Sequence, residues 1–296
     1  MIKIDVISGF LGVGKTTFAN KLLRHYMESG LRPVYIVNEF GQTGLDAEII
    51  KADGFDAVEI EGGCICCTLK DDVAVAIVNV INTFSPTNIV FEPSGIFIFD
   101  NFFDILKQPE INKQCEIGSV ITVVDSVNFS FSKAMYGSFV FNQIKNAPII
   151  LLSKLEKINC DVNELICDIK NINPTAFILA KTWSDWGEDD FKLLLNQKGN
   201  LPTNHHAHHH SHLKSITVKL DKPLTQEKIN ELVDCCKSGT FGNLCRVKGI
   251  LASEKQHFLL NIAMQDVSLT KFRGMAETML TFIGQAVNDE EIHRFF

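Results

Sequence analysis

Gly9-Phe10-Leu11-Gly12-Val13-Gly14-Lys15-Thr16 fits the pattern G-x-x-x-x-G-K-[ST], and its setting gives that pattern meaning. The apolar, β-branched run at residues 2–7 precedes it and reads as a buried strand. A helical stretch from Lys15 to about residue 27 follows, closed by Gly30 and Pro33. Strand, glycine loop and helix in immediate succession make a phosphate-binding loop. Its glycines let backbone N–H groups wrap a β-phosphate, and the helix N-terminus adds the positive end of its dipole. On this reading Gly9, Gly12, Val13, Gly14 and Thr17 line the phosphates. Lys15 reaches the β- and γ-phosphates, and the Thr16 hydroxyl is a ligand for Mg²⁺.

Outward from the loop, short apolar runs at residues 34–37, 88–91, 120–124, 149–152 and 176–179 alternate with helix-length segments, notably 71–82 and 161–171. Buried strands alternating with helices predict an α/β fold: a P-loop NTPase parallel sheet with helices on both faces. Near Asn196 the composition turns polar. A strand (215–220), a helix (225–237), a second strand (243–250) and a helical tail (289–296) follow. The expected division is a P-loop domain at 1–195, a linker at 196–213, and a smaller C-terminal α+β domain at 214–296.

At 296 residues, two domains of roughly 150 each are expected, and 46% hydrophobic residues suffice for a core. Lys and Arg number 28 against 35 Asp and Glu, a net charge of −7, so no basic field recruits nucleic acid or acidic lipid. No apolar run approaches the ~18 to 20 residues that span a bilayer. Met1-Ile2-Lys3-Ile4-Asp5 meets lysine and glycine too soon for a secretory signal. Nine cysteines, odd in number and clustered, fit a reducing compartment rather than a disulfide framework. A cytoplasmic globular protein is expected, with neither nucleic-acid nor membrane partner.

Ser153-Lys154-Leu155-Glu156 stands where nucleotide-binding folds of this kind read the base. The usual Asn-Lys-x-Asp places a carboxylate against guanine N1–H and the 2-amino group, where adenine offers an acceptor. Ser153, Lys154 and Glu156 keep the lysine and a carboxylate, and Ala180 supplies a backbone contact to the base edge. Guanine is the favoured base, with an ordinary charged turn in an ATP enzyme as the alternative. Asn38-Glu39-Phe40-Gly41-Gln42-Thr43-Gly44-Leu45-Asp46 reads as a nucleotide-sensing loop. In Glu92-Pro93-Ser94-Gly95 the carboxylate holds the Mg²⁺ shell, and the Gly95 N–H faces the γ-phosphate.

Gly62-Gly63-Cys64-Ile65-Cys66-Cys67 crowds three thiols into four residues, a soft donor set suited to Zn²⁺ or Cu(I). Zn²⁺ takes four ligands, so Cys64, Cys66 and Cys67 leave one position for Glu39, a histidine or a client group. Buried structural cysteines and a redox pair are the competing readings. His205, His206, His208, His209, His210 and His212 form an auxiliary metal reservoir, or else a solvated low-complexity linker. Phe99, Phe102, Phe103 and Leu106 recur at helical spacing: either an amphipathic helix on the core or a partner-docking face near the γ-phosphate.

Taken together, these motifs resemble the CobW-like metallochaperone GTPases, relatives of the GTPases that help load nickel into hydrogenase and urease. The resemblance rests on residues 8–17, Asn38-Glu39-Phe40-Gly41, Gly63-Cys64-Ile65-Cys66-Cys67, Glu92-x-Ser94-Gly95 and Ile121-Thr122-Val123-Val124-Asp125. In the smaller domain Cys245-Arg246-Val247-Lys248-Gly249-Ile250 looks like the family's Arg-x-Lys-Gly strand, and Phe282-Ile283-Gly284 like its late Ile-Gly turn. The resemblance implies GTP hydrolysis coupled to delivery of zinc first, cobalt second, to a client metalloprotein or cofactor-synthesis enzyme, with a homodimer as a further expectation. Lys15, Thr16 and Glu92 then form the catalytic set. No glutamine can be placed at the attacking water. The rival readings are a nucleotide-switched metal buffer or sensor without useful turnover, and a P-loop small-molecule kinase.

Overall fold

The computed structural model describes residues 1–38, 45–60, 69–96, 99, 102–158, 161–197, 213–253, 256–264, 266–272 and 277–296. The chain clusters into two compact units, one carrying a seven-stranded sheet and one a five-stranded sheet.

The first sheet is built from β1 (Ile2–Gly9), β2 (Pro33–Val37), β3 (Asp56–Glu59), β4 (Asn88–Glu92), β5 (Cys115–Asp125), β6 (Ile149–Ser153) and β7 (Phe177–Leu179). Their order is β3-β2-β4-β1-β5-β6-β7, and every pairing is parallel. β2, β4 and β6 are buried at every residue, as strands covered on both faces must be. Alternation along β1 shows the two layers. Ile4 and Val6 join the core with α3 (Leu69–Phe84), α4 (Phe102–Leu106) and α5 (Pro109–Asn112), while Asp5 meets Tyr26 of α1 (Lys15–Glu28). α2 (Leu45–Ala52), α6 (Phe129–Lys145), α7 (Val162–Ile172) and α8 (Glu188–Leu195) complete the unit. The connection leaving β1 runs toward β2, and that leaving its neighbour β5 runs toward β6 on the other side. Their carboxyl ends therefore open the crevice in which open α/β sheets bind ligands.

The second unit is an antiparallel sheet of β8 (Lys214–Lys219), β9 (Gly242–Ser253), β10 (Gln256–Ala263), β11 (Asp266–Phe272) and β12 (Met279–Val287), ordered β11-β10-β9-β12-β8. α9 (Gln226–Ser238) and α10 (Asp289–Phe295) contribute Ile229, Leu232 and Ile292 to a core with Val247, Leu251, Leu280 and Phe282. Thr225 caps α9 by accepting from the Lys228 N–H at 3.2 Å, and Gly239, at φ 82°, ends the helix. Gly249 lies against the β12 backbone, where a Cβ would overlap the Met279 carbonyl oxygen. That close approach explains the glycine of Arg246-x-Lys248-Gly249.

Three sequence expectations are corrected. Residues 38–46 are not loop throughout, because α2 begins at Leu45 and holds Asp46 in its first turn. Phe282-Ile283-Gly284 is no turn: it lies inside β12, paired on both sides, with the register shift at Gly284 supplying the local irregularity. Phe99, Phe103 and Leu106 are buried in the core of the first unit, which removes the docking-face reading of those three. β3, α6, α8 and the strands β10 to β12 also went unassigned in the sequence. Among the described residues no helix is long and apolar enough to cross a membrane.

Candidate functional site

The phosphate loop leaves β1 at Gly9 and enters α1 through Gly14. Gly9, Gly12 and Gly14 have φ of 139°, 75° and 104°, in the range that favours glycine. At Gly9 a Cβ would also overlap the Val123 carbonyl oxygen of β5 and stand 2.9 Å from Val13 Cγ2. Gly9→Ala is expected to destabilise the first unit by about 1 to 3 kcal/mol and to weaken GDP binding at least tenfold, checked by thermal melts and a GDP titration. Lys15 is buried, and its ammonium donates to the Phe10 carbonyl at 3.2 Å while lying 3.9 Å from Glu92 Oε1.

Thr16 sits at the focus of two acids. Its hydroxyl lies 3.2 Å from Glu92 Oε1 and 3.3 Å from Asp46 Oδ1. A hydroxyl carries one hydrogen, so it satisfies only one of them at a time. Glu92 and Asp46 are each 4% exposed. Two buried carboxylates converging on one hydroxyl are a hard-oxygen set that fits Mg²⁺. Tyr35, on β2, donates its phenol hydrogen to Glu92 Oε2 at 2.6 Å and so orients the carboxylate with Oε1 toward Thr16 and Lys15. Asp46 and Tyr35 were absent from the sequence-derived site. Tyr35 is hidden inside an apolar run, and Asp46 falls in a stretch read as loop.

α6 braces this region from behind. Tyr136, at a break in the helix (φ −130°, ψ 31°), stacks on Phe10 with ring centroids 5.0 Å apart. The Gln143 amide donates to the Gly95 carbonyl at 3.0 Å, tying the Glu92-Pro93-Ser94-Gly95 turn to the same helix.

At the end of β6, Ser153 is buried with its hydroxyl 2.7 Å from the Val13 carbonyl and 3.2 Å from that of Val124. Ser153 thus ties the phosphate loop to the sheet, and its short side chain supports the loop rather than extending to a base. Lys154 takes a left-handed backbone (φ 58°), and its ammonium pairs with Asp125 at 2.6 Å. Asp125 also accepts from the Val127 and Asn128 N–H groups at 2.9 and 3.1 Å. Glu156 follows in an exposed short turn, and Ala180 is exposed just beyond β7. Trp183 lies against Gly14 from the loop after Ala180, a neighbour that no motif signalled.

Glu39, Cys64, Cys66, Cys67 and His205, His206, His208, His209, His210 and His212 lie outside the described residues. The strands that lead to two of these segments are described. The Asn38 N–H donates to the Glu92 carbonyl at 2.9 Å, and the Ile60 N–H donates to the Val37 carbonyl at 2.8 Å. Val37 pairs with Glu59 on one side and with Glu92 on the other, so these three residues share the carboxyl end of the sheet. Among the described residues no group of three or more His, Cys, Asp or Glu forms a metal cluster. Burial pushes the Cys115 and Cys236 thiols up to about 11 and about 12, the opposite of what a thiolate ligand needs. His25 stacks on Phe191 at 4.4 Å, and His293 pairs with Asp289 at 3.1 Å.

Residues 3–180 match the family model described as "CobW/HypB/UreG, nucleotide-binding domain". Residues 213–296 match the "Cobalamin synthesis protein cobW C-terminal domain". "Zinc chaperone CobW" of Sinorhizobium sp is 36% identical over 132 residues, covering 42% of this chain and 37% of that protein. "Zinc chaperone CobW" of Pseudomonas aeruginosa is 27% identical over 248 residues, covering 71% of this chain and 64% of that protein. The matched parts thus span less than two thirds of these two relatives. "Zinc chaperone YjiA" of Escherichia coli is 26% identical over 324 residues, covering 100% of this chain and 98% of that protein. HypB from Helicobacter pylori, solved in complex with nickel, is similar in fold: TM-score 0.50 at 16% identity, over 66% of this chain and 85% of that one.

Proposed function

The chain belongs to the CobW/HypB/UreG nucleotide-binding family and carries a cobW C-terminal domain; from that premise we propose a Mg²⁺-dependent GTPase that delivers a transition metal. Zinc is the first cargo, in keeping with the zinc chaperones among its relatives, and cobalt the second. The observation that carries this reading is the convergence of Asp46 and Glu92 on the Thr16 hydroxyl beside Lys15, a set of groups suited to Mg²⁺ and phosphate. β2 pairs in parallel with both β3 and β4, so Val37, Glu59 and Glu92 lie at one end of the sheet. In sequence Glu39 follows Val37 closely and the cysteines follow Glu59 closely.

In this scheme the backbone N–H groups of residues 12–16 and the Lys15 ammonium hold the β- and γ-phosphates. Thr16, Glu92 and Asp46 hold Mg²⁺, which when bound offsets negative charge on those phosphates. Gly95 offers its N–H to the γ-phosphate. Gln143 and Tyr136 keep the turn and the loop in register on α6. Lys154, Glu156 and Ala180 face the guanine, with Ser153 bracing the loop beneath it. Cys64, Cys66, Cys67 and Glu39 hold the cargo, and the histidines at 205–212 buffer it within a linker at 196–213, between a GTPase domain at 1–195 and the domain at 214–296. The setting is cytoplasmic and the recipient is a client metalloprotein or cofactor-synthesis enzyme.

GTP tightens the cargo site and hydrolysis loosens it. A coupling of ~1 to 3 kcal/mol changes affinity about 5- to 150-fold, enough for a handover. The test is a competition titration of Zn²⁺ and Co²⁺ under anaerobic reducing conditions, with a non-hydrolysable GTP analogue against GDP. A chain lacking residues 205–212 keeps the histidines from masking the thiols. Tighter binding with the GTP analogue, lost in Cys66→Ser/Cys67→Ser, is expected. Equal affinity in both nucleotide states would replace gated delivery with a metal buffer.

A further inference from the structure

α6 carries large apolar residues on both of its sides. Its inward residues, among them Phe129, Tyr136, Phe139 and Ile144, are buried in the first unit. On the outward side Phe131 is 40% exposed, Met135 37% and Phe141 44%, with Val127 at 43% just before the helix. They recur at helical spacing and form one stripe with the exposed Ala134 and Ser138. Phe141 lies back on Gly137: a Cβ there would stand 3.3 Å from its ring, so the glycine leaves the ring room to lie along the helix. A helix that is apolar on all sides is normally buried on all sides, and a contiguous exposed apolar patch marks an interaction surface.

The stripe repeats itself in reverse about position 136. Phe131 and Phe141 stand at equal distances on either side of it, as do Ala134 and Ser138, and Met135 and Gly137. A two-fold contact requires such a pattern, because residue i of one copy meets j of the other while j meets i. Two antiparallel copies of α6 centred there set Phe131 of each against Phe141 of the other, and each large Met135 against a small Gly137. Ala134 then meets Ser138, and these short side chains let the two backbones approach.

Charge fits the same arrangement. The stripe from Val127 to Phe141 holds no charged residue, so two chains of net charge −7 meet there without like charges in contact. α6 and α7 follow the adjacent parallel strands β5 and β6, so both begin at the carboxyl end of the sheet, where Lys133 joins Asp168 at 2.6 Å. An antiparallel copy carries Lys145, exposed at the far end of α6, toward that end, and there Asp161 and Glu164 are exposed at the start of α7.

We propose that the outer stripe of α6 is a two-fold docking surface for a second copy of this chain. It stands independently of the nucleotide and metal reading. An aromatic side chain of ~200 Å² left two-fifths exposed offers about 80 Å², so the stripe falls short of the ~800 Å² per partner of a standard interface. The dimer is therefore weak, half-formed on the order of 10 to 100 µM. The inner side of the same helix holds Tyr136 on Phe10 and Gln143 on the Gly95 carbonyl, so the dimer puts the brace of the phosphate loop at its centre.

The experiment is sedimentation velocity on the full chain from about 5 to 300 µM, with EDTA and a thiol reductant present so that no metal or disulfide bridges two copies. The mean mass should rise from 33.1 kDa toward twice that value. Phe131→Asp and Phe141→Lys, each alone, should weaken association at least tenfold. An equimolar mixture of the two variants should associate again, because the new carboxylate meets the new ammonium at one end and the native phenylalanines meet at the other. Recovery in the mixture separates loss of contact from loss of fold. A wild type still monomeric at the highest concentration would overturn the proposal and leave the stripe to a different protein. A dimer that survives both substitutions, or a mixture that stays monomeric, would overturn it equally.

Discussion

Glu92→Gln is expected to lower GTP turnover by about 10²- to 10³-fold, the usual cost of removing one fixed charge or donor from a preorganised site. GDP affinity should stay within a few-fold. The substitution is nearly isosteric, and the new amide oxygen can still accept from the Tyr35 hydroxyl, which in the native chain lies 2.6 Å from Glu92 Oε2. What is lost is the negative charge on the oxygen 3.2 Å from the Thr16 hydroxyl and 3.9 Å from the Lys15 ammonium. Tyr35→Phe keeps the charge and removes only its orientation, so a smaller loss of about tenfold is expected. Phosphate release at saturating GTP and Mg²⁺ checks both. Unchanged turnover in Glu92→Gln would remove Glu92 from the catalytic set.

Asp5→Ala is expected to destabilise the first unit by about 1 to 3 kcal/mol for each buried donor it leaves without an acceptor. Asp5 is 1% exposed on β1 and accepts from the Ser119 N–H at 2.7 Å and the Tyr26 hydroxyl at 2.8 Å, with Asn88 as a further donor. Alanine leaves those donors buried without an acceptor. Asp5→Asn keeps one acceptor and should cost much less. Burial raises the Asp5 carboxyl above the ordinary carboxylate range, outweighing the hydrogen bonds and the charge of Lys3. The folded state therefore holds this proton more tightly than the unfolded chain. Its contribution is fully favourable below the unfolded carboxylate value and is lost as pH rises through the folded one. Melting curves across that interval should show wild type losing stability relative to Asp5→Asn as pH rises. A difference independent of pH would show that Asp5 titrates alike in both states.

Contiguous patterns were the legible part of this chain. Residues 9–16 fix their own backbone through glycine conformations and a helix start, so strand, loop and helix could be read before any packing was known. The alternation of short apolar runs with helical stretches predicted a parallel sheet because a strand buried on both faces must be apolar throughout. β11 escaped for the converse reason: it lies at the edge of its sheet and is largely exposed, with no alternation to mark it. Gly284 read as a turn because glycine usually signals one, whereas here it lets the Asn243 backbone approach.

The sequence by itself determined the phosphate loop, the strand–helix alternation and the residue types available for magnesium, thiolate and base chemistry. Each of these is a local property of consecutive residues. Only the tertiary structure decided who meets whom: Asp46 and Glu92 at Thr16, Tyr35 on Glu92, Ser153 beneath Val13, Trp183 on Gly14. Those meetings follow from the strand order β3-β2-β4-β1-β5-β6-β7, which sets the strand ends that are neighbours. Strand order is fixed by how all the helices and strands bury their apolar faces together, and no single segment carries that information.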